Sequence, residues 1–277
     1  MKTMKLVGLV AVMFTGTVNA QINLGEKALG AVQKGYAGFT FSDEEAAAMS
    51  KEAVVKMDAE NKVAGPKDAY TIRLNKIFGK HSTENGLNLN YKVYLTKDVN
   101  AFATADGSVR VFSGLMDIMD DNELLAVIGH EIGHVANHDT RDAVKAAYKK
   151  EALVDAVASQ SDKVAKLTDS QYAKIGSAMI DSRHSRQQES EADLYSYDFM
   201  KRHKYNVNAV ESAFTILAKM NEGTESNFLT RMLSSHPDPK QRAEDAKQRA
   251  VADGLYKPYV KKAAVKTTTK KVVKKKK

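Results

Sequence analysis

The 277-residue chain has no cysteine. That absence excludes a disulfide scaffold, a thiol nucleophile, a metal site built on thiolates and a lipid carried on an N-terminal cysteine. No stretch beyond the N-terminus reaches the length of a membrane span, and no internal repeat is visible. Acidic residues are missing from both ends. Residues 1–20 contribute +2 through Lys2 and Lys5, and residues 257–277 contribute +10 through lysines alone. The formal net charge is +8, so the body between them is mildly acidic, at −4. A basic face for nucleic acid across the fold is therefore excluded. What remains, 43% hydrophobic and 27% charged residues, is the composition of an ordinary globular protein.

The two ends read as non-core segments. Lys2 and Lys5 precede the apolar run Leu6–Phe14, and Val18-Asn19-Ala20 offers small residues where a signal peptidase cuts. The expectation is a signal peptide over 1–20, cleaved after Ala20, and a periplasmic or secreted product without a transmembrane helix. Residues 257–277 read as a disordered, Lys-rich tail. Such a tail offers peripheral contact with an anionic membrane or envelope polymer. The domain itself is placed at 21–256.

Within that body helical periodicity dominates. Ser42 with Glu45 forms a capping box for a helix to about Glu60. Tyr70, Leu74, Ile77 and Phe78 share one face of a second helix, stopped near Gly79. From about Asn90 to Phe112 the pattern turns to strand, with Asp106-Gly107 as a hairpin signal. Helices follow over 120–137, 142–158, 170–182, 187–203, 208–221 and, behind Asp238 as N-cap and Pro239, to about Ala252. The fold class is α+β, mainly helical, with one small β-sheet.

The chemistry concentrates in Gly129-His130-Glu131-Ile132-Gly133-His134. Histidines four apart project from one helix face and can share one zinc ion, while Glu131 beside them can act as a general base. Asp120 and Glu123 supply the start of that helix. Two histidines leave a tetrahedral site short of a protein ligand. A metzincin would have Gly at 137 and His at 140, where this chain has Asn137 and Thr140. A gluzincin takes a Glu from a later helix, and Glu189 with Asp193 four residues on fits that pattern. Glu189 would reach the metal and Asp193 would accept the outer N–H of a ligating histidine. Glu191 is the competing ligand, but it faces away from Asp193.

These segments, with Glu191-Ala192-Asp193 and Ser235-His236-Pro237-Asp238-Pro239 followed by Arg242, resemble the HtpX and type I CaaX prenyl endopeptidase family. The resemblance runs through most of 40–250. It implies a zincin-like metallopeptidase domain with one Zn²⁺ per chain on His130, His134 and Glu189, with Glu131 as base and Asp193 as supporting carboxylate. It also implies a role for His236 beside the metal, as a switchable fourth ligand or as a stabiliser of the oxyanion. The expected activity is zinc-dependent endopeptidase cleavage of exported or envelope proteins, in periplasmic quality control. The rival is a zinc-bound but latent chaperone or assembly factor. Membrane-embedded relatives carry several transmembrane helices that this chain lacks, which argues against processing of prenylated proteins. Val109–Phe112 is either an edge strand for an extended substrate or an ordinary core strand. His138 reads as a helix-end residue; His81, His184 and His203 receive no role.

Overall fold

The computed structural model describes residues 42–84, 86–159, 168–223 and 232–262, without the side chains of 152–159. The expected signal peptide and the tail beyond 262 lie outside the described residues. Two compact units are distinguished. The larger comprises 42–148 and 167–277; the smaller comprises 1–41 and 149–166, of which the structure describes only part of one helix.

In the larger unit, α1 (Asp43–Glu60) opens on the expected capping box: Ser42 Oγ accepts from Glu45 N–H, and Glu45 accepts from Ser42 N–H. Helix α2 (Ala69–Phe78) is capped by Asp68 and buries Leu74, Ile77 and Phe78. A turn of 3₁₀ helix (Gly79–His81) leads into a short hairpin, β1 (Thr83–Glu84) and β2 (Leu87–Asn88). Strands β3 (Asn90–Tyr94), β4 (Ala101–Ala103) and β5 (Ser108–Phe112) form a sheet of order β3-β5-β4, with β3 parallel and β4 antiparallel to β5. The Asp106-Gly107 turn joins β4 to β5, and Gly107 takes φ 80, where a side chain would be strained.

This topology removes one sequence expectation. Strand β5 lies in the middle of its sheet and is buried throughout, so it has no edge to offer a substrate. The outer side of β3 is engaged by residues 62–64, through Ala64 N–H to Val93 O and Leu95 N–H to Lys62 O. That leaves β4 as the edge with no strand beyond it among the described residues.

The sheet packs on α4 (Asp121–Ala136), reached through the short α3 (Ser113–Ile118). Asp120 caps α4 in a capping box with Glu123, as the sequence suggested. Thirteen of its residues, Glu123 to Val135, are buried, so α4 is a core helix rather than an amphipathic surface one. Then follow α5 (Asp139–Ser159), α6 (Asp169–Asp181), α7 (Arg186–Arg202), α8 (Asn208–Gly223) and α9 (Pro239–Ala252). Asp238 precedes α9 but does not cap it. Its backbone is left-handed (φ 57, ψ 46) and its side chain makes no cap hydrogen bond. Asp is among the few non-glycine residues that tolerate this region. Residues Lys257–Lys262, assigned to the tail from sequence, are held to the body: Tyr259 donates to Asp120, Lys262 N–H donates to Asp120, and Lys261 pairs with Glu123.

The axis of the molecule's chemistry is the contact between α4 and α7. A Cβ at Gly133 would lie 3.0 Å from Ala192 Cα, and one at Gly129 would lie 3.1 Å from Phe199 Cδ1. Two glycines one turn apart thus let α7 approach α4 closely. Ser196 Oγ crosses the gap to Ala126 O at 2.7 Å.

Candidate metal centre

On α4, His130 and His134 project from one face toward α7, where Glu189 sits in the first turn. His236, just past a helical turn at 232–235, completes a buried group. His130 Nε2 lies 3.0 Å from His134 Nε2 and 3.3 Å from His236 Nδ1. Glu189 Oε1 lies 2.9 Å from His236 Nδ1 and 3.5 Å from His134 Nε2, and Glu189 Oε2 lies 3.6 Å from His130 Nε2. Glu191, the competitor, is exposed and hydrogen-bonded to Gln187.

The outer nitrogens explain why the inner ones converge. His130 Nδ1 meets Asp193 Oδ1 at 2.9 Å, and His134 Nδ1 meets Asp139 Oδ2 at 2.8 Å. A carboxylate accepts from the Nδ1–H tautomer, which leaves each Nε2 with a lone pair. Two lone pairs facing each other across 3.0 Å are not a hydrogen bond; they call for a proton or a cation between them. Tetrahedral zinc with bonds of about 2.0–2.1 Å has ligand–ligand edges of about 3.3–3.4 Å. The distances of 2.9–3.6 Å around this group match that figure. Two imidazoles, one carboxylate and a third imidazole are also a donor set suited to zinc. The residues fit the ion.

Charge agrees with geometry. Burial would lower the His134 pKa, but hydrogen bonds to Asp139 and Glu189 overcome it and raise it to about 9, so positive charge is favoured at this point. His130 goes the other way, to about 3, through burial and the Arg242 guanidinium. Burial alone would raise the Glu189 carboxyl; contacts with His134, His236 and Arg242 instead hold it far below the usual range. Asp193 is likewise held down, against its burial, by Arg242 and His130. Glu131 is the exception among the acids. It is 4% exposed, and among the described residues its Oε1, like Glu189 Oε2, has no hydrogen-bond partner. Burial pushes its pKa up, against the opposing pull of His236 and His134. His236 Nε2 lies 3.7 Å from Glu131 Oε1.

Three residues that the sequence reading gave no role belong to this assembly. Arg242 enters from α9 and pairs with Asp193 through Nε and Nη2 at 2.9 and 2.6 Å; its Nη1 lies 2.6 Å from Glu189 Oε2. Its guanidinium also stacks 4.0 Å over the Phe214 ring. Asp139 opens α5 only five residues after His134, and its other oxygen accepts from Gln188. His184 stacks on His134, with ring centroids 3.8 Å apart and planes at 16°, while its backbone N–H donates to Ser235 O. Carboxylates at short separations behind metal-spaced histidines are a readable signal for Asp139. Nothing in the spacing of His184 or Arg242 points to their partners. His138 sits exposed in the left-handed region between α4 and α5, as a helix-end residue.

The model of peptidase family M48 matches residues 73–250. The chain is 38% identical to Metalloprotease LoiP of Escherichia coli K12 over 89% of its length and 95% of that protein's. It is 37% identical to Metalloprotease YcaL of the same organism over 88% and 94% of the two chains. A putative beta-barrel assembly-enhancing protease of Vibrio cholerae is 30% identical over 56% of this chain and 33% of its own.

Proposed function

The chain belongs to peptidase family M48 and is a metalloendopeptidase, and from that premise we propose that it uses one zinc ion to hydrolyse exported or envelope proteins in the periplasm, in protein quality control. The observation that carries the reading is the convergence of lone pairs from His130, His134 and Glu189 beside the buried Glu131 carboxylate, whose Oε1 has no hydrogen-bond partner among the described residues.

Bound there, zinc supplies Lewis acidity toward the scissile carbonyl and brings the pKa of water toward neutrality. The chain's own residues supply the rest. Asp193 and Asp139 fix the tautomers of His130 and His134, so both imidazoles present Nε2 inward. Arg242 neutralises Asp193 and Glu189, which lets three carboxylates share one buried space. Glu131 Oε1, with no hydrogen-bond partner among the described residues, takes the proton of the attacking water and delivers it to the leaving amine. Its raised pKa suits both halves of that transfer. The edge strand for an extended substrate would be β4 rather than β5, since β4 has no strand beyond it among the described residues.

His236 supports a second reading. Its Nδ1 lies 3.3 Å from His130 Nε2 and 2.9 Å from Glu189 Oε1, within the ligand group itself. In that position it would act as a fourth ligand and hold a latent enzyme closed, the state a chaperone or assembly factor would occupy; moved outward, it would steady the oxyanion. Casein cleavage by wild type, Glu131→Gln and His236→Ala, with zinc counted in each, tests both readings. Cleavage lost only with Glu131→Gln, at unchanged zinc, is the expected result. Cleavage that appears only in His236→Ala identifies the latent state, and zinc without cleavage in any form overturns the peptidase assignment.

A further inference from the structure

At the far end of α7, two more histidines and a glutamate come together. His81 ends the 3₁₀ turn, Glu84 lies in β1, and His203 is the C-cap of α7. His203 Nε2 lies 3.0 Å from Glu84 Oε2, and His81 Nδ1 lies 4.0 Å from that same oxygen. One ligand atom from each residue falls within 4.8 Å of the others. His203 follows Glu189 by fourteen positions, which sets the two groups about 20 Å apart along the helix, at about 1.5 Å per residue.

We infer that His81, Glu84 and His203 form a second site for a divalent transition-metal ion, with zinc the ion its chemistry best fits.

A simple histidine–glutamate ion pair would need only one imidazole on the carboxylate. Here two imidazoles face one oxygen, and the outer groups hold them so. Tyr205 hydroxyl meets His81 Nε2 at 2.7 Å, which leaves Nδ1 turned to Glu84. The Tyr91 hydroxyl donates to His81 O and fixes the turn that carries the ring. Arg202 Nη2 takes Glu84 Oε1 at 2.7 Å and leaves Oε2 for the two histidines. The nearby cations are engaged: Arg202 also lies over the Tyr195 ring, and Lys80 lies over the ring of Tyr205. The last carbonyls of α7 add negative potential at the C-cap. Two imidazoles and a carboxylate suit zinc among common divalent ions. His81 and Glu84 are buried, whereas the His203 side chain is 32% exposed, which gives an entry path and a fourth position for water.

The test counts zinc on the full chain after equilibrium dialysis against a buffered micromolar zinc solution. Wild type is expected to hold two ions per chain, and Glu84→Gln and His203→Ala one each with casein cleavage retained. Glu189→Ala is expected to hold one, and Glu189→Ala with His203→Ala none. Circular dichroism of each variant separates ligand loss from unfolding, and His203→Asn repeats the test with less change in shape. One ion in wild type, unchanged in Glu84→Gln and His203→Ala, overturns the inference. So do two ions that survive in the His203 variants. Glu189→Ala reports separately on the first centre, so the two assignments fail independently.

Discussion

Two groups with the same three donors, two imidazoles and one carboxylate, lie at opposite ends of α7, and they differ in everything around those donors. At His130, His134 and Glu189 both outer nitrogens rest on buried carboxylates, and each of the three residues is no more than 3% exposed. At His81, Glu84 and His203 one outer nitrogen rests on a neutral phenol, and His203 stands partly in solvent. The donor list says which ion fits; the carboxylates behind the rings and the burial decide how firmly the rings are aimed. Chemistry needs the firmer arrangement, because a base must stand at a set distance from its substrate.

The sharpest way to break this contrast is Glu131→Gln. Removal of the proposed base is expected to lower kcat about 10²–10⁴-fold, with zinc content and melting temperature unchanged; casein hydrolysis and metal counting check it. Next come the outer carboxylates. Asp193→Asn and Asp139→Asn are each expected to weaken zinc binding at the first centre about 10–100-fold, read by titration against a competing chelator, and to leave the His203 end unaffected. Gly133→Ala is expected to cost about 1–3 kcal/mol by overpacking the α4–α7 contact, measured from the urea midpoint, because the added methyl meets backbone rather than a flexible side chain.

The smallest effect is that of pH on His81. Its value in the fold, about 4, lies below the ordinary 6.5, through burial first and the charges of His203 and Lys80 after it. The unfolded chain therefore binds this proton more readily. The stability tied to a neutral His81 is fully present above pH 6.5 and is lost as the pH falls toward 4. His81→Gln is expected to flatten that part of the dependence, seen by comparing urea midpoints of the two proteins across the window.

Much of the first centre was legible because its logic is local. His130 and His134 are one turn apart, Asp120 and Glu123 announce the helix start, and Glu189 and Asp193 are again one turn apart on a single face. The helices were readable for the same reason, since capping boxes at Ser42 and Asp120 are contained in four residues. What escaped the sequence depends on tertiary packing. Arg242 reaches Asp193 from another helix, His184 stacks on a ring fifty residues away in the chain, and His81 meets His203 only because α7 runs past the hairpin. The middle position of β5 is of this kind too, since strand order is set by pairing partners and not by the alternation of one strand. Asp238 departs from its local signals: a residue before proline favours the extended backbone that a cap requires, whereas Asp238 is left-handed.

The segment that closes over the start of α4 has a practical consequence for handling the protein. Glu123 is fully buried, and its carboxylate is met by Asp120 N–H, Ser212 Oγ and Lys261 Nζ. A recombinant version ended at residue 256, where composition alone would draw the domain boundary, would strip away Lys261 together with the Tyr259 hydroxyl on Asp120. The helix that presents His130 and His134 would then begin with two acids short of partners. A purification handle belongs after Lys262, and a protease nick between 256 and 262 would act at a distance on α4 by loosening its first turn.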